Sequence, residues 1–244
     1  MKNRKQSQQI PPSREMSHGG APFNSPAVRP IHHHGGPPSR PPLPMRLEPI
    51  LAAFCLAAPP ALAAPVIVQV SDAAGRALPE AVVLLEPASG NAPVKPMPEV
   101  QIAQEKRQFM PRVTLITVGT AVNFPNFDTV RHHVYSFSKA KTFEIKLYAG
   151  VPSKPEVFDK PGIAVLGCNI HDRMAAWVVV ADTPWHAMSG ADGLARIADA
   201  PPGAYQLSVW HAGLAANSPP VTRKVQIGSA ELRESFRIAL EAAP

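Results

Sequence analysis

Beyond residue 63 no stretch of twelve or more residues repeats apolar side chains at convincing helical spacing, and this constrains the fold more than any other feature. Short β-branched and apolar runs recur instead: Val66 to Val70, Ala81 to Leu85, Val113 to Val118, Val122 to Phe124, His133 to Phe137, Phe143 to Leu147, Ile163 to Leu166, Ala175 to Val180, Tyr205 to Trp210 and Val221 to Ile227. Turn signals such as Ala74-Gly75, Pro125-Asn126, Pro161-Gly162, Asp192-Gly193 and Pro201-Pro202-Gly203 punctuate them. Each strand must bury its apolar face against another sheet, so this pattern predicts an all-β chain built of sandwiches, not a helical or doubly wound fold. One segment, "SAELRESFRIAL", offers a helix capped by Ser229, yet its alternating Phe236 and Ile238 suit a last strand as well.

Residues 1–44 combine Pro, Gly, Ser and His with few large apolar side chains, too few to offset the entropy of ordering, and are expected to be disordered. A second beginning follows at Met45. Its basic start, apolar run from Ile50 to Ala58 and small residues Ala61-Leu62-Ala63 have the form of a cleavable export signal over residues 45–63. A signal makes little sense behind 44 polar residues, so Met45 is expected to be the true start and the upstream segment a misassigned extension. Spanning a bilayer takes roughly 20 apolar residues; this run is shorter and ends in Pro59-Pro60, so no stable membrane span is expected after cleavage. Phe54 before Cys55 is too large for a lipoprotein box. With the signal removed, Cys168 is the one remaining thiol of a periplasmic protein, and an intramolecular disulfide is impossible.

The formal charge of +6 suggests an anionic partner until it is located. Seven basic side chains against Glu15 and Glu48 put +5 in residues 1–64, leaving +1 for the rest, and the case for a nucleic-acid partner disappears.

The stretch "GCNIHDRM" packs a thiol, an imidazole and a thioether into seven residues: Cys168, His171 and Met174. Each is common alone in a β protein, as a buried thiol, a surface histidine and a core methionine. Together, at i, i+3 and i+6, a tight loop can turn them toward one point. Soft sulfur stabilises Cu(I) while imidazole keeps Cu(II) bound, so two imidazoles, a thiolate and a weak thioether suit one copper ion cycling between the two states. Zinc prefers a tetrahedral set without thioether, and Met174 disfavours it. A further imidazole must come from a neighbouring strand, and "RHH" offers His132 and His133. Successive strand residues point to opposite faces, so only one of the two can look at the metal.

The segment from about Val100 to Ala181 resembles a cupredoxin. The likeness rests on "QFMPRVTLITVGTAVNFPNFDTVRHHVYSFS" and "FDKPGIAVLGCNIHDRMAAWVVVAD": an F-x-P strand start, a strand ending near N-F-D, a His soon after, and Cys, His and Met in one loop. The Cys-x2-His-x2-Met spacing is amicyanin-like, and the "RHHVYSFS" and "LGCNIHDRM" segments are similar to exported proteins labelled methylamine utilization proteins. This resemblance implies a Greek-key β-sandwich binding type 1 copper. It implies His132 as upstream ligand, four residues after Asp128, with His133 the alternative. Cupredoxins usually carry Asn after that ligand, and His133 departs from the pattern. The flanking stretches "VIVQVSDAAGRALPEAVVLLEP" and "SGADGLARIADAPPGAYQLSVWHAG" resemble the start and end of a carboxypeptidase-regulatory-like, transthyretin-type sandwich. In them Asp72, Gly75, Pro79, Ala81 and Val83 fit the first hairpin, and Asp192, Gly193, Ile197, Pro202, Gly203, Tyr205 and Leu207 the closing strands. The expected organisation is therefore a cupredoxin unit, residues 93–182, inserted in a smaller Ig/transthyretin-like sandwich made of residues 64–92 and 183–244.

Other features are weaker. His32 to His34 sit in a Pro-rich tail and are expected to be inert. Trp185-His186 and Trp210-His211 read as strand or rim residues of the second sandwich, their rival role being a docking surface. Lys139, Lys141 and Lys146 read as a solvated edge. No Ser-His-Asp set, phosphate-cradling Gly loop or carboxylate pair marks a hydrolase, so the expectation is no enzyme. Instead it is a one-electron carrier whose partner, by resemblance, is a periplasmic redox protein such as a cytochrome or dehydrogenase. A copper carrier or storage protein and a non-redox adhesion or interaction module are the alternatives.

Overall fold

The computed structural model describes residues 63–241, so the export signal, the expected disorder of residues 1–44 and His32 to His34 lie outside the described residues. Among the described residues the chain is all-β. It begins with β1 (Ala64–Asp72) and β2 (Val82–Pro87). Ten strands follow: β3 (Val100–Gln101), β4 (Ala103–Glu105), β5 (Gln108–Met110), β6 (Val113–Thr117), β7 (Thr120–Asn123), β8 (His132–Ser138), β9 (Lys141–Tyr148), β10 (Glu156–Phe158), β11 (Gly162–Gly167) and β12 (Ala175–Ala181). The last five are β13 (His186–Met188), β14 (Leu194–Ala200), β15 (Gly203–Trp210), β16 (Val221–Ile227) and β17 (Leu232–Ile238). The segment that offered a helix is therefore strand β17, where Phe236 and Ile238 are buried and Arg237 between them is exposed.

The outer strands make one sandwich. Sheets β14-β1-β17 and β13-β2-β15-β16 enclose a core of Val66, Val68 and Val70 against Val83, Leu85, Leu207 and Val209, closed by Ile197, Ile227, Phe236 and Ile238. The polar residues of its turns have identifiable jobs. Asp72 Oδ1 accepts the amides of Ala74 and Arg76, each at 2.9 Å, shaping the β1 turn. At Gly193 (φ +71°) a Cβ would fall 2.5 Å from the carbonyl oxygen of Val70, so no other residue fits without moving the backbone. The Tyr205 hydroxyl donates to the Pro201 carbonyl at 2.9 Å, pinning the Pro-Pro-Gly turn.

The middle strands make a second sandwich, the architecture that the cupredoxin resemblance implied. The five-stranded sheet β6-β12-β11-β8-β9 and the sheet β10-β7-β3 share a core of Ile116, Val122, Phe124, Val134, Phe143, Phe158, Leu166 and Val178, and Phe109 of the β4–β5 hairpin joins it. A third apolar cluster, Val82, Val113, Val179 and Trp210, lies where the outer face of β2 and β15 meets the outer face of β6 and β12. This explains why "AAWVVVA" of β12 and "VVLL" of β2 are continuous instead of alternating: both faces are covered. Edge strand β9 carries Lys141 and Lys146, and Lys141 is paired with Glu156 at 3.1 Å. Trp210 is 7% exposed, and Trp185, partly buried, packs edge-on against Tyr205.

Candidate metal centre

Strand order brings distant residues together. In the five-stranded sheet β8 lies beside β11, with Tyr135 opposite Gly167, so the start of β8 and the loop from β11 to β12 meet at one end of the sandwich. His132 opens β8 and is fully buried; Cys168 follows β11 and is 4% exposed. Cys168 Sγ lies 3.8 Å from Nδ1 of His132 and 4.0 Å from Nδ1 of His171, and ligand atoms of all three residues lie within 4.8 Å of one another. The two imidazole rings are 5.0 Å apart between centroids. The His171 carbonyl accepts the Met174 amide at 2.9 Å, closing the loop into a turn, and Met174 is buried in the same core cluster as Cys168.

On β8, His132, Val134 and Ser136 point into the sandwich, whereas His133, Tyr135 and Phe137 form an aromatic row on the other face, with ring centroids 5.6 and 5.2 Å apart. The ladder shifts register between His132 and Val134, where β8 pairs with β9. Nε2 of His133 sits 3.0 Å from a Glu144 carboxylate oxygen, close enough for ion pairing but out of line for a hydrogen bond. Of the two histidines in "RHH", His132 is the one brought to Cys168.

The environment of His132 decides which nitrogen faces the thiol. Its Nε2 lies 2.7 Å from Oδ2 of Asp128, and a carboxylate can only accept, so Nε2 carries a proton and Nδ1 is the ring nitrogen turned toward Cys168. Asp128 also accepts the backbone amides of Lys106 (2.7 Å) and Arg107 (2.9 Å). Burial pushes its carboxyl up, but the Arg107 amide, the His132 ring and the Lys106 amide outweigh this and hold it below the usual carboxylate value. Asn126, itself buried, ties the loop down: its Nδ2 donates to the carbonyls of Val130 and Tyr148, each at 2.9 Å, and its Oδ1 accepts the Asp128 amide at 3.0 Å. The spacing from Asp128 to His132 singled out His132 in sequence, but nothing there revealed Asn126 or the hairpin amides as its surroundings.

Donor atoms bound at about 2.0–2.3 Å from one ion at trigonal angles lie about 3.5–4 Å from each other. The spacing around Cys168 fits this, and the thiol and two imidazoles are the donor types a soft metal takes. Met174 and Cys168 border a groove on the neighbouring surface whose other walls include Tyr135, Phe137, Val165 and Asn217.

No family model matches the chain, and no curated protein matches it. Solved structures do. A Cu-containing nitrite reductase (NirK) from Thermus scotoductus SA-01 is 27% identical, matching 39% of this chain and 25% of its own, with a TM-score of 0.32. A mutant of amicyanin in its reduced Cu(I) form is 16% identical over 36% of this chain and 92% of its own, TM-score 0.32. A purple cupredoxin from Nitrosopumilus maritimus is 23% identical over 34% and 99%, TM-score 0.30. This chain thus spans about a quarter of the reductase, and at these TM-scores the likeness is partial.

Proposed function

We propose that the middle sandwich is a type 1 copper electron carrier, with His132, Cys168 and His171 as equatorial ligands and Met174 as the axial thioether of one ion. The observation that carries this is the convergence of Cys168 Sγ with the Nδ1 atoms of His132 and His171, the first pair 36 residues apart in sequence. Copper bound there supplies one-electron exchange between Cu(I) and Cu(II). The chain supplies the rest. Asp128 fixes the tautomer of His132, the turn from His171 to Met174 fixes the loop, and burial of His132 and Cys168 limits access of water to two donors. His171 is half-buried, and its Nδ1 faces the thiol, so the opposite ring edge is the electron port. Phe127, Val130 and Ile170, all exposed, lie on the loops that carry the ligands and give this end an apolar face suited to a redox protein partner.

In this reading the copper unit is inserted in the outer sandwich, and the protein is exported to the periplasm. Among the described residues no helix is long and apolar enough to cross a membrane. Protein purified from copper-supplemented cells should hold about one copper per chain and absorb intensely in the visible through thiolate-to-copper charge transfer; Cys168→Ala should abolish the band. Absence of the band from copper-loaded protein, or its survival in Cys168→Ala, refutes the reading.

The groove beside Cys168 and Met174 favours a second reading, a copper carrier that hands its ion on. Voltammetry separates the two: an electron carrier gives a reversible midpoint, whereas a metal carrier loses copper to a competing chelator within a working cycle.

A further inference from the structure

We propose that the β4–β5 hairpin is a positioning clamp for His132, in which the backbone amides of Lys106 and Arg107 hold Asp128 so that its carboxylate dictates which imidazole nitrogen faces Cys168. This deepens the copper reading and rests on it for the metal consequences, but the imidazole tautomer can be read without metal.

The hairpin is unusual for its sequence. Glu105 pairs with Gln108, leaving a two-residue loop, and both loop residues are left-handed: Lys106 at φ +55° and Arg107 at φ +59°. Such loops ordinarily take Asn and Gly, because a Cβ disfavours this conformation. Here two long side chains occupy it, both exposed, so packing of those side chains does not account for the turn. What the turn does achieve is to point two successive N–H groups at one carboxylate, at 2.7 and 2.9 Å. Oδ1 receives Lys106; Oδ2 receives Arg107 and the His132 ring. The Asp128 side chain therefore bridges two chain segments about twenty residues apart and has no freedom to rotate away from Nε2. Further backbone bonds seat the hairpin on the loop: Gln104 donates to the Pro125 carbonyl at 2.8 Å and accepts from Phe127 at 2.9 Å. Lys106 and Arg107 act through Asp128 and are positioning residues, as is Asp128 itself.

Three variants test this. Asp128→Ala removes the acceptor. Two glycines inserted between Lys106 and Arg107 separate the amides from Asp128 at an exposed loop that tolerates insertion. The double substitution Lys106→Asn with Arg107→Gly keeps the left-handed turn and its amides while deleting both cationic side chains. Nitrogen-15 NMR of the His132 ring in metal-free protein near pH 8 should show the Nε2–H tautomer in the wild type and the double variant. It should show a mixture containing Nδ1–H in Asp128→Ala and in the insertion. Copper affinity, measured by chelator competition, should fall roughly 10- to 100-fold in Asp128→Ala, the range expected for loss of a ligand's hydrogen-bond partner, and less in the insertion. Wild-type tautomer in the insertion overturns the clamp, and so does a double variant that behaves like Asp128→Ala. If no variant or wild type binds copper, the copper reading fails, while the tautomer measurement still decides the clamp.

Discussion

The phenol ring of Tyr135 lies so close over Gly167 that a Cβ at that glycine would fall 2.7 Å from the ring's Cζ and hydroxyl oxygen. The two are cross-strand partners on β8 and β11, and Gly167 precedes Cys168, so the ring covers the strand end from which the thiol projects. Gly167→Ala must displace either the aromatic row or the Cys168 backbone. Overpacking of this kind costs about 1–3 kcal/mol. Denaturant unfolding should show that loss, and Cys168 should react faster with a thiol reagent than in the wild type. An unchanged midpoint and unchanged reactivity would show that the ring is free to move.

Behind the centre, Tyr148 donates its hydroxyl to the Phe124 carbonyl at 2.6 Å and accepts from Gln104, whose amide nitrogen also reaches Phe124 at 3.1 Å. Burial of the ring pushes its hydroxyl up to about 12. A folded value above the unfolded one means the native state keeps its proton longer, so the stability this group contributes is present below pH 10 and is lost as pH rises from about 10 to 12. Tyr148→Phe removes the donor and strips Gln104 of an acceptor, costing about 1–2 kcal/mol at neutral pH. Melting temperatures across that alkaline range should fall more steeply for the wild type than for Tyr148→Phe.

His186 and His211 give the opposite dependence. Burial holds both below the ordinary imidazole value, and although the Pro79 carbonyl and Glu80 pull His211 back up, the net shift stays downward. The unfolded chain therefore binds protons that the native protein refuses, and stability drops as pH falls below about 6.5. Replacing both with Gln should flatten the acid limb of a plot of unfolding free energy against pH. A limb of wild-type slope in the double variant would place the acid sensitivity elsewhere.

The strands that bury alternate residues were readable from sequence because their period was visible. Each apolar run met a strand, and the ladder places Val134 and Ser136 on one face and Tyr135 and Phe137 on the other as the period of two requires. What sequence hid is instructive. The β4–β5 hairpin turns at Lys106-Arg107, which carries no turn chemistry, and its two left-handed residues are stabilised by bonds to Asp128, a tertiary partner. β17 was ambiguous because Glu231 to Arg237 suit a helix; its parallel pairing with β1 from Leu232 to Ile238 decides the matter. At the candidate centre, residue types revealed Cys168, His171 and Met174, but the choice between His132 and His133 depends on which face of β8 meets the Cys168 loop, a property of packing. Similarly, Asn126 looks like an ordinary turn residue until its hydrogen bonds to Val130, Tyr148 and Asp128 are traced.

The seam between the two sandwiches rests on few large side chains. Trp210 of β15 is buried there with Val82, Val113 and Val179, its ring 6.4 Å from Trp177, over which the Arg112 guanidinium sits at 4.9 Å. Each sandwich has its own core, so the seam couples two units whose interiors do not depend on it. Trp210→Ala should cost about 3–5 kcal/mol, as for other buried Trp truncations. Because the loss falls on the coupling, calorimetry should show one transition for the wild type and two for Trp210→Ala, the outer sandwich melting first since β2 and β15 lose cover on one face. The His132–Cys168 end is built from β8 and the loop after β11, and none of the buried seam residues Val82, Val113, Val179 and Trp210 lies on either. Metal uptake should therefore survive the first of the two transitions. One undivided transition with only a shifted midpoint would mean that the sandwiches fold as a single cooperative body.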